Sequence, residues 1–354
     1  MDNLSIIPFS SVNFNDHFFD SLKQDYIHGF LDWIANKSSK PNEVAHVLHN
    51  IHGGIEGFLY LKIEQGIDND TNPPLPDRKH LKIGTFKFES AGTLRGQRFM
   101  KKIFDYAIDA NVDDIYVTVF DKHSYLIKLF QHYGFYKYGT KTGPNGTENV
   151  LVRDMRHISG DKLQDYPYVL TRNTNKHLLS IYPVYHTRLF PDSKLVTEST
   201  DIVKDISHAN SIHKIYICAM DGVLSYKAGD IVVIYRTSDN KGPARYRSVA
   251  SSICVVESVR TIQQFPDEAS FVKHCRKFSV FTESELIDIY RKKRYPYIIQ
   301  FTYNIALPKR ITRHELIGQV GLNPNSYWGC MPISDAQFND IVRLSETNHH
   351  LIIT

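Results

Sequence analysis

The sequence predicts an α/β (α+β) chain of two domains, and three observations carry that expectation. Its 354 residues exceed what one ordinary core organises. Strand-like and helix-like segments alternate up to residue 155, the pattern of a mixed sheet with flanking helices. Beyond residue 210 strands outnumber helices, which suits a small β-barrel with peripheral helices. The expected domains are therefore 1–155 and 211–354, with 156–210 as a structured connector.

The elements follow in chain order. Phe18, Leu22, Tyr26, Phe30 and Trp33 recur at helical spacing, interrupted at His28-Gly29. Ile55–Lys62 reads as a strand, and Asp68–Lys79, with three prolines, as a loop. Leu81–Phe88 is a second strand. A turn through Ser90-Ala91-Gly92 then leads to a helix from Gln97 to Ala110. Ile115–Phe120 is β-branched and aromatic between aspartates, hence a buried strand. A short helix Ser124–His132 closes at Gly134, and a strand is expected near Asn149–Arg153. The connector holds short strands at Tyr168–Thr171 and Leu178–Tyr182. After it come strands Lys214–Ala219 and Asp230–Tyr235, and a long strand or bent pair over Arg245–Val259. Helices over Asp267–Phe278 and Ser284–Arg294 precede a strand Tyr297–Tyr303.

Composition excludes several classes. The chain is 42% hydrophobic and 23% charged, with 21 Tyr and 20 Phe to bury, so disorder is not its dominant state. No run approaches the ~18 apolar residues of a membrane span, and Met1–Ser5 has no secretory character. Cys218, Cys254, Cys275 and Cys330 form no CxxC pair and read as reduced packing residues of a cytoplasmic protein. His177, His186, His349 and His350 lie in unrelated segments, so no metal is expected. Charge is uneven. Residues 1–210 hold 24 Lys and Arg against 25 Asp and Glu, whereas 211–320 hold 17 against 10. That excess suits a polyanionic partner or a solvated basic face.

The segment Thr93–Ile103 follows a strand, places Gly96 at a turn and opens a helix. Amides at such a turn, with the positive end of the helix dipole, form a pocket for pyrophosphate. Arg95, Arg98, Lys101 and Lys102 surround it; a surface helix with a basic start is the competing reading. The order strand, basic turn, helix, strand, short helix, Tyr133-Gly134-Phe135 resembles the GNAT family of acyl-CoA-dependent N-acyltransferases over residues 14–155. Leu126-Ile127-Lys128-Leu129-Phe130 and Gly134-Phe135 match its later signature. The resemblance implies acetyl-CoA as cofactor, bound by Phe86, Phe88, Leu94, Arg95, Gly96, Gln97, Arg98, Phe99, Met100 and Lys101. Arg98 and Met100 stand where the family has glycine and a small residue. Phe130 replaces its usual acidic tyrosine, and His123 fills the usual Asn position. Tyr133 or His123 is then the substitute proton donor, Glu89 the candidate base, and Glu56 the second.

In the second domain, Ile215–Cys218, the Gly229-Asp230 turn and the strand after it resemble the PUA-like folds, including the ASCH and EVE groups. The resemblance implies RNA binding. Tyr235, Arg236, Arg245, Tyr246 and Arg247 interleave rings with guanidinium groups, as stacking and phosphate contact require; tyrosines packing the barrel are the alternative. The expected function is acetyl transfer to an amine of a protein or RNA-associated substrate, with RNA recruited by the second domain. The combination also resembles GNAT–ASCH proteins that accompany PIN-type ribonuclease toxins. The competing class is a non-enzymatic nucleic-acid-binding or antitoxin-like protein with a degenerate GNAT domain.

Overall fold

The computed structural model describes residues 3–50, 52–89, 94–193 and 211–354 and forms two compact units, Met1–Asp165 and Tyr166–Thr354. The expected turn at Ser90–Gly92 and part of the connector, 194–210, lie outside the described residues. The fold class is the expected mixed α/β one. The domain division differs from expectation, because the connector supplies strands and a helix to the second unit.

The first unit runs β1 (Asn3–Pro8), α1 (Asp20–Asp25), α2 (Phe30–Ser38), β2 (Val44–His49), β3 (Ile55–Asp68), β4 (Leu75–Phe88), α3 (Arg95–Asp109), β5 (Asp114–Phe120), α4 (Ser124–His132), β6 (Tyr136–Gly143) and β7 (Gly146–Asp154). Its seven strands form one sheet in the order β1-β2-β3-β4-β5-β7-β6. All neighbours are antiparallel except β4 and β5. The expected first helix breaks in two because Gly29 takes a left-handed φ of +95°. Phe9, Phe18, Phe19, Phe58 and Tyr60 are buried in one cluster, with Phe14 and Trp33 packed on it. On α3, Phe99, Met100, Ile103, Phe104 and Ala107 form the buried stripe, recurring at helical spacing.

The second unit runs β8 (Val169–Leu170), β9 (Lys176–Ile181), α5 (Pro183–Leu189), β10 (His213–Cys218), β11 (Ile231–Arg236), α6 (Ala244–Arg247), β12 (Val249–Thr261), α7 (Glu268–Cys275), α8 (Glu283–Lys292), β13 (Tyr297–Thr312), α9 (Arg313–Gly318), β14 (Cys330–Ile333), α10 (Asp335–Leu344) and β15 (Ile352–Ile353). Six strands pair in the order β10-β13-β12-β11-β9-β14. Bulges bend β12 against both neighbours. The hydroxyl of Tyr216 on β10 donates to the Ser180 carbonyl of β9 at 3.2 Å, so the sheet curls towards a barrel. The turn before β11 is built as the sequence suggests: Gly229 takes φ +101°. Asp230 accepts from the backbone N–H groups of Lys227 and Asn175 at 2.8 and 3.0 Å. Among the described residues no helix is long and apolar enough to cross a membrane, and no three His, Cys, Asp or Glu group as metal ligands would.

One buried pair fastens β4 to β5. His80 and Asp114 are register partners, both almost without exposure, and His80 Nδ1 lies 2.5 Å from the Asp114 carboxylate. Its Nε2 faces the carbonyls of Pro76 and Gly66 at 3.0 and 3.1 Å. Both nitrogens thus meet acceptors, which only the imidazolium satisfies. Burial alone would lower the His80 pKa; the Asp114 hydrogen bond and charge outweigh it and hold it above the ordinary value. Stability from this proton is complete below the unfolded value of about 6.5 and is lost as pH rises through the higher folded value. The denaturation midpoint of the first unit, read from Trp33 fluorescence in a Trp328→Phe background, therefore declines above about pH 6.5. A His80→Gln variant, less stable throughout, loses that decline.

Candidate functional site

The clearest irregularity in the first sheet lies where β4 leaves β5. The two pair in parallel only from His80–Ile83 to Asp114–Val117. Beyond that, among the described residues, β4 pairs only with β3, and Thr118–Phe120 of β5 only with β7. The cause is a bulge: Tyr60 faces Thr85 and Leu61 faces Ile83, so Gly84 is the extra residue. A bulge bends the strand that carries it. Only glycine fits, because a Cβ there would lie 2.7 Å from Tyr60 Cδ1. Tyr60 cannot yield, since its hydroxyl donates to Glu43 at 2.6 Å and also accepts from Lys37. The bent strand leaves an open edge over Gly84–Phe88.

Helix α3 starts beside this edge. Leu94, the residue before it, provides no side-chain cap, and no acid stands in its first turn. Its first amides therefore point outward at the positive helix end. The side chains expected to hold an anion are largely committed elsewhere. Arg95 is buried, pairs with Glu56 and donates to the Glu89 carbonyl at 3.3 Å. Lys101 is buried with its ammonium on both oxygens of Asp105, at 2.9 and 3.0 Å. Arg98 is buried too. Phe99 and Met100 are core residues, and the Phe99 ring occupies the space beside Gly57. Gln97 is half-buried, and its Oε1 meets no donor among the described residues.

Aromatic rings floor the opening. Phe86 packs against Phe88, Phe99 and Phe130 at centroid distances of 5.4, 5.9 and 5.4 Å. Gly96 lets α3 approach this floor: a Cβ there would fall 2.8 Å from Phe88 and 3.0 Å from Leu129. Of the expected proton-transfer groups, Glu89 is exposed at the end of the open edge. His123 is 43% exposed, with Nε2 2.7 Å from Asp25. Burial opposes ionisation of Asp25, but hydrogen bonds from Lys122 and His123 outweigh it and hold its pKa below the ordinary value. Tyr133 corrects the expectation: it is fully buried beside Phe104 and His132, with no surface to meet a ligand.

The expected nucleic-acid residues of the second unit do not form one surface. Tyr235 and Arg236 are buried, because β11 is an interior strand flanked by β12 and β9. Arg247 is held by both oxygens of Asp239 at 2.5 Å. Arg245 and Tyr246 remain exposed on α6, with Arg245 donating to His314 at 2.8 Å. What the sequence reading missed is a cavity of about 1060 Å³ in this unit, reached by the ends of β10 and β11, by α8, and by Tyr327–Gly329. Apart from the adjacent Tyr327 and Trp328, its aromatic residues are scattered along the sequence, so no local pattern marks it. Cys218 lines it, but burial pushes that thiol up to about 12, which keeps it protonated and unreactive.

Gly84→Ala tests the origin of the opening. The added methyl meets an anchored ring, so the first unit should lose about 1–3 kcal/mol in denaturant titration.

The chain matches no family model, and no curated protein matches it. Solved structures do resemble parts of it. An ASCH protein from Zymomonas mobilis shares 10% identity over 48% of this chain and 95% of its own, with a TM-score of 0.30. FeeM, an N-acyl amino acid synthase from uncultured soil microbes, shares 13% over 43% of this chain and 90% of its own, with a TM-score of 0.31. Arabidopsis thaliana NAA60 in complex with acetyl-CoA shares 14% over 44% of this chain and 100% of its own, also at 0.31.

Proposed function

We propose that the first unit is an acyl-CoA-dependent N-acetyltransferase acting on an amine of a protein or RNA-associated substrate, and that the second unit recruits RNA. The observation that carries the reading is the bulge at Gly84, which opens the β4 edge beside the uncapped start of α3. An extended ligand arm bearing amides pairs with an open strand edge as an added strand would. A pyrophosphate suits the first-turn amides of α3. The fit is through backbone, since Arg95 and Lys101 already hold partners within the unit. Acetyl-CoA, when bound, supplies an activated thioester.

The chain's own residues would then orient and deprotonate. Phe86 and Phe88 floor the arm and exclude water from it. Glu89, exposed at the end of the edge, would take a proton from the attacking amine. His123 is the second candidate. Asp25, being ionised, can only accept, so a neutral His123 carries its proton on Nε2 and presents Nδ1 as a base. Phe130 offers no proton to the departing thiolate; a thiol pKa near 8.5 makes that tolerable at neutral pH.

A second reading keeps two observations in its favour. The aromatic floor and the Arg95–Glu56 pair are also what a non-enzymatic, antitoxin-like protein beside a PIN-type ribonuclease would retain from a degenerate acyltransferase.

Calorimetric titration of acetyl-CoA separates the two. Binding to the wild type, weakened in Gly96→Ala, whose methyl crowds Phe88, supports the first reading; no heat favours the second. Release of free coenzyme A with an amine acceptor then assigns the base, since loss of a general base costs roughly 10²–10⁴-fold. Glu89→Gln should show that loss, and His123→Ala should show it if Glu89→Gln does not. RNA recruitment predicts that affinity for single-stranded RNA falls with log salt by about 0.7 per phosphate contacted.

A further inference from the structure

The open edge of β4 separates two faces. Alternate side chains of a strand point to opposite sides of the sheet. Phe86 and Phe88 form the aromatic floor on one side. Lys87 and Glu89 share the other, because pairing with β3 continues through Glu89, whose amide donates to the Glu56 carbonyl at 3.0 Å. This second face meets α1. The Lys87 ammonium lies 2.6 Å from Ser21 Oγ on that helix, donates to the Phe18 carbonyl and stands 4.6 Å from the Phe18 ring centroid. At the other end of α1, Asp25 holds Lys122 and His123 at 2.5 and 2.7 Å. Glu89, and Asp25 with its His123, thus lie on the side of the sheet that already holds an amine of the chain's own.

Lys87 is half-buried, and burial pushes its pKa below the ordinary lysine value. The negative charges of Glu89, Asp20 and Asp25 oppose that shift without cancelling it. More of this amine is therefore neutral at a given pH than in a solvated lysine, and only the neutral form is a nucleophile. Its contacts with Ser21 and Phe18 also fasten α1 to β4. A neutral amine keeps two N–H groups for those two contacts and leaves its lone pair free, so fastening and reactivity are compatible.

We propose that Lys87 is a self-modification site, its Nζ serving as an acceptor for the chain's own acetyl transfer. The proposal rests on the reading that the first unit takes acetyl-CoA. In the step, the Nζ lone pair forms a bond to the thioester carbonyl carbon. The carbon–sulfur bond breaks, and its electron pair leaves on sulfur as the thiolate. The proton that the nitrogen must shed passes to Glu89, on the same face two residues on. The product is an uncharged amide, so the attraction between position 87 and the carboxylates of Asp20 and Asp25 ends with the modification.

The tests use the full chain. Without cofactor, trace labelling by dilute acetic anhydride is read by peptide mass mapping across pH. At Lys87 it should reach half its maximum below the ordinary lysine value of about 10.4. A profile at or above that value overturns the proposal. With acetyl-CoA, the mass of one acetyl group should appear on the Lys87 peptide, at a rate independent of protein concentration because the transfer stays within one chain. Lys87→Arg, which keeps a cation over the Phe18 ring, should lose that modification. Glu89→Gln should slow it on the order of a hundredfold, as loss of a general base does. The same variant should move the anhydride profile of Lys87 to still lower pH, since an opposing negative charge is gone. Acetyl groups spread alike over the lysines of native and urea-unfolded chain are plain chemical acylation and overturn the proposal. Lys87 left unmodified while calorimetry shows acetyl-CoA bound overturns self-acetylation and leaves the transferase reading standing. Absence of both binding and modification overturns the cofactor reading, and the proposal with it.

Discussion

Everything proposed for the first unit depends on one strand meeting two opposite demands. β4 must hold β5 at one end and release it at the other. The buried His80–Asp114 pair meets the first demand, joining register partners where the strands begin to run together. Directly after the last parallel pair, Ile83 with Val117, Gly84 meets the second by adding a residue that bends the strand away. The two devices support each other. Without the fastened end, the bend would shift the register; without the bulge, parallel pairing would continue and close the edge. Tyr60 stiffens the arrangement, because its hydroxyl is held by Glu43 and Lys37 and its ring allows nothing larger than hydrogen at position 84.

Much of this frame was legible in the sequence, for reasons that are local. Ile115–Phe120 and Ile231–Tyr235 are continuous β-branched or aromatic runs, and both are buried strands. α3 announces itself by its apolar spacing, and α8 by Thr282 with Glu285 three residues on. β6 and β14 escaped because they are short or polar and owe their shape to a neighbour, not to composition. β4 begins earlier than expected, since Pro73 and Pro74 confine the turn while Leu75 already pairs with Asp68. The strand expected over Leu178–Tyr182 is β9, but the residues around it looked like a connector because its place in the second unit's sheet shows only once β11 and β14 lie on either side of it.

The site was less legible than the fold, and charge explains why. Arg95, Arg98 and Lys101 at a helix start read as anion ligands, yet Arg95 answers Glu56, thirty-nine positions earlier on β3. Lys101 answers Asp105 one turn on, a pair visible in the sequence but indistinguishable there from a solvated one. In the second unit Tyr235 and Arg236 belong to a strand with neighbours on both sides, so burial overrides the look of an interleaved binding motif. The cavity was hidden for the converse reason. Tyr182, Tyr295 and Tyr327 are distant in sequence, and only the curl of the sheet assembles them.

Phe130 can be understood from its surroundings as well as from the chemistry it lacks. It is fully buried between Phe86 and Phe135, with centroids at 5.4 and 4.9 Å. A tyrosine in the same place would bring a hydroxyl into a wholly aromatic cluster, and a buried hydroxyl without a partner costs roughly 1–3 kcal/mol. The aromatic floor and a tyrosine acid at position 130 are therefore alternatives. A chain that keeps the floor gains a rigid, dry surface under the open edge and gives up an acid. For the thiolate leaving group of the proposed reaction that exchange would be tolerable, because such a group departs near neutral pH without needing a proton first. In the acetyl transfer proposed for this unit, the demand that remains would fall on the amine, which must lose its proton to attack. In the proposed reaction Glu89, exposed at the end of the edge, or the Asp25-held His123 would accept it.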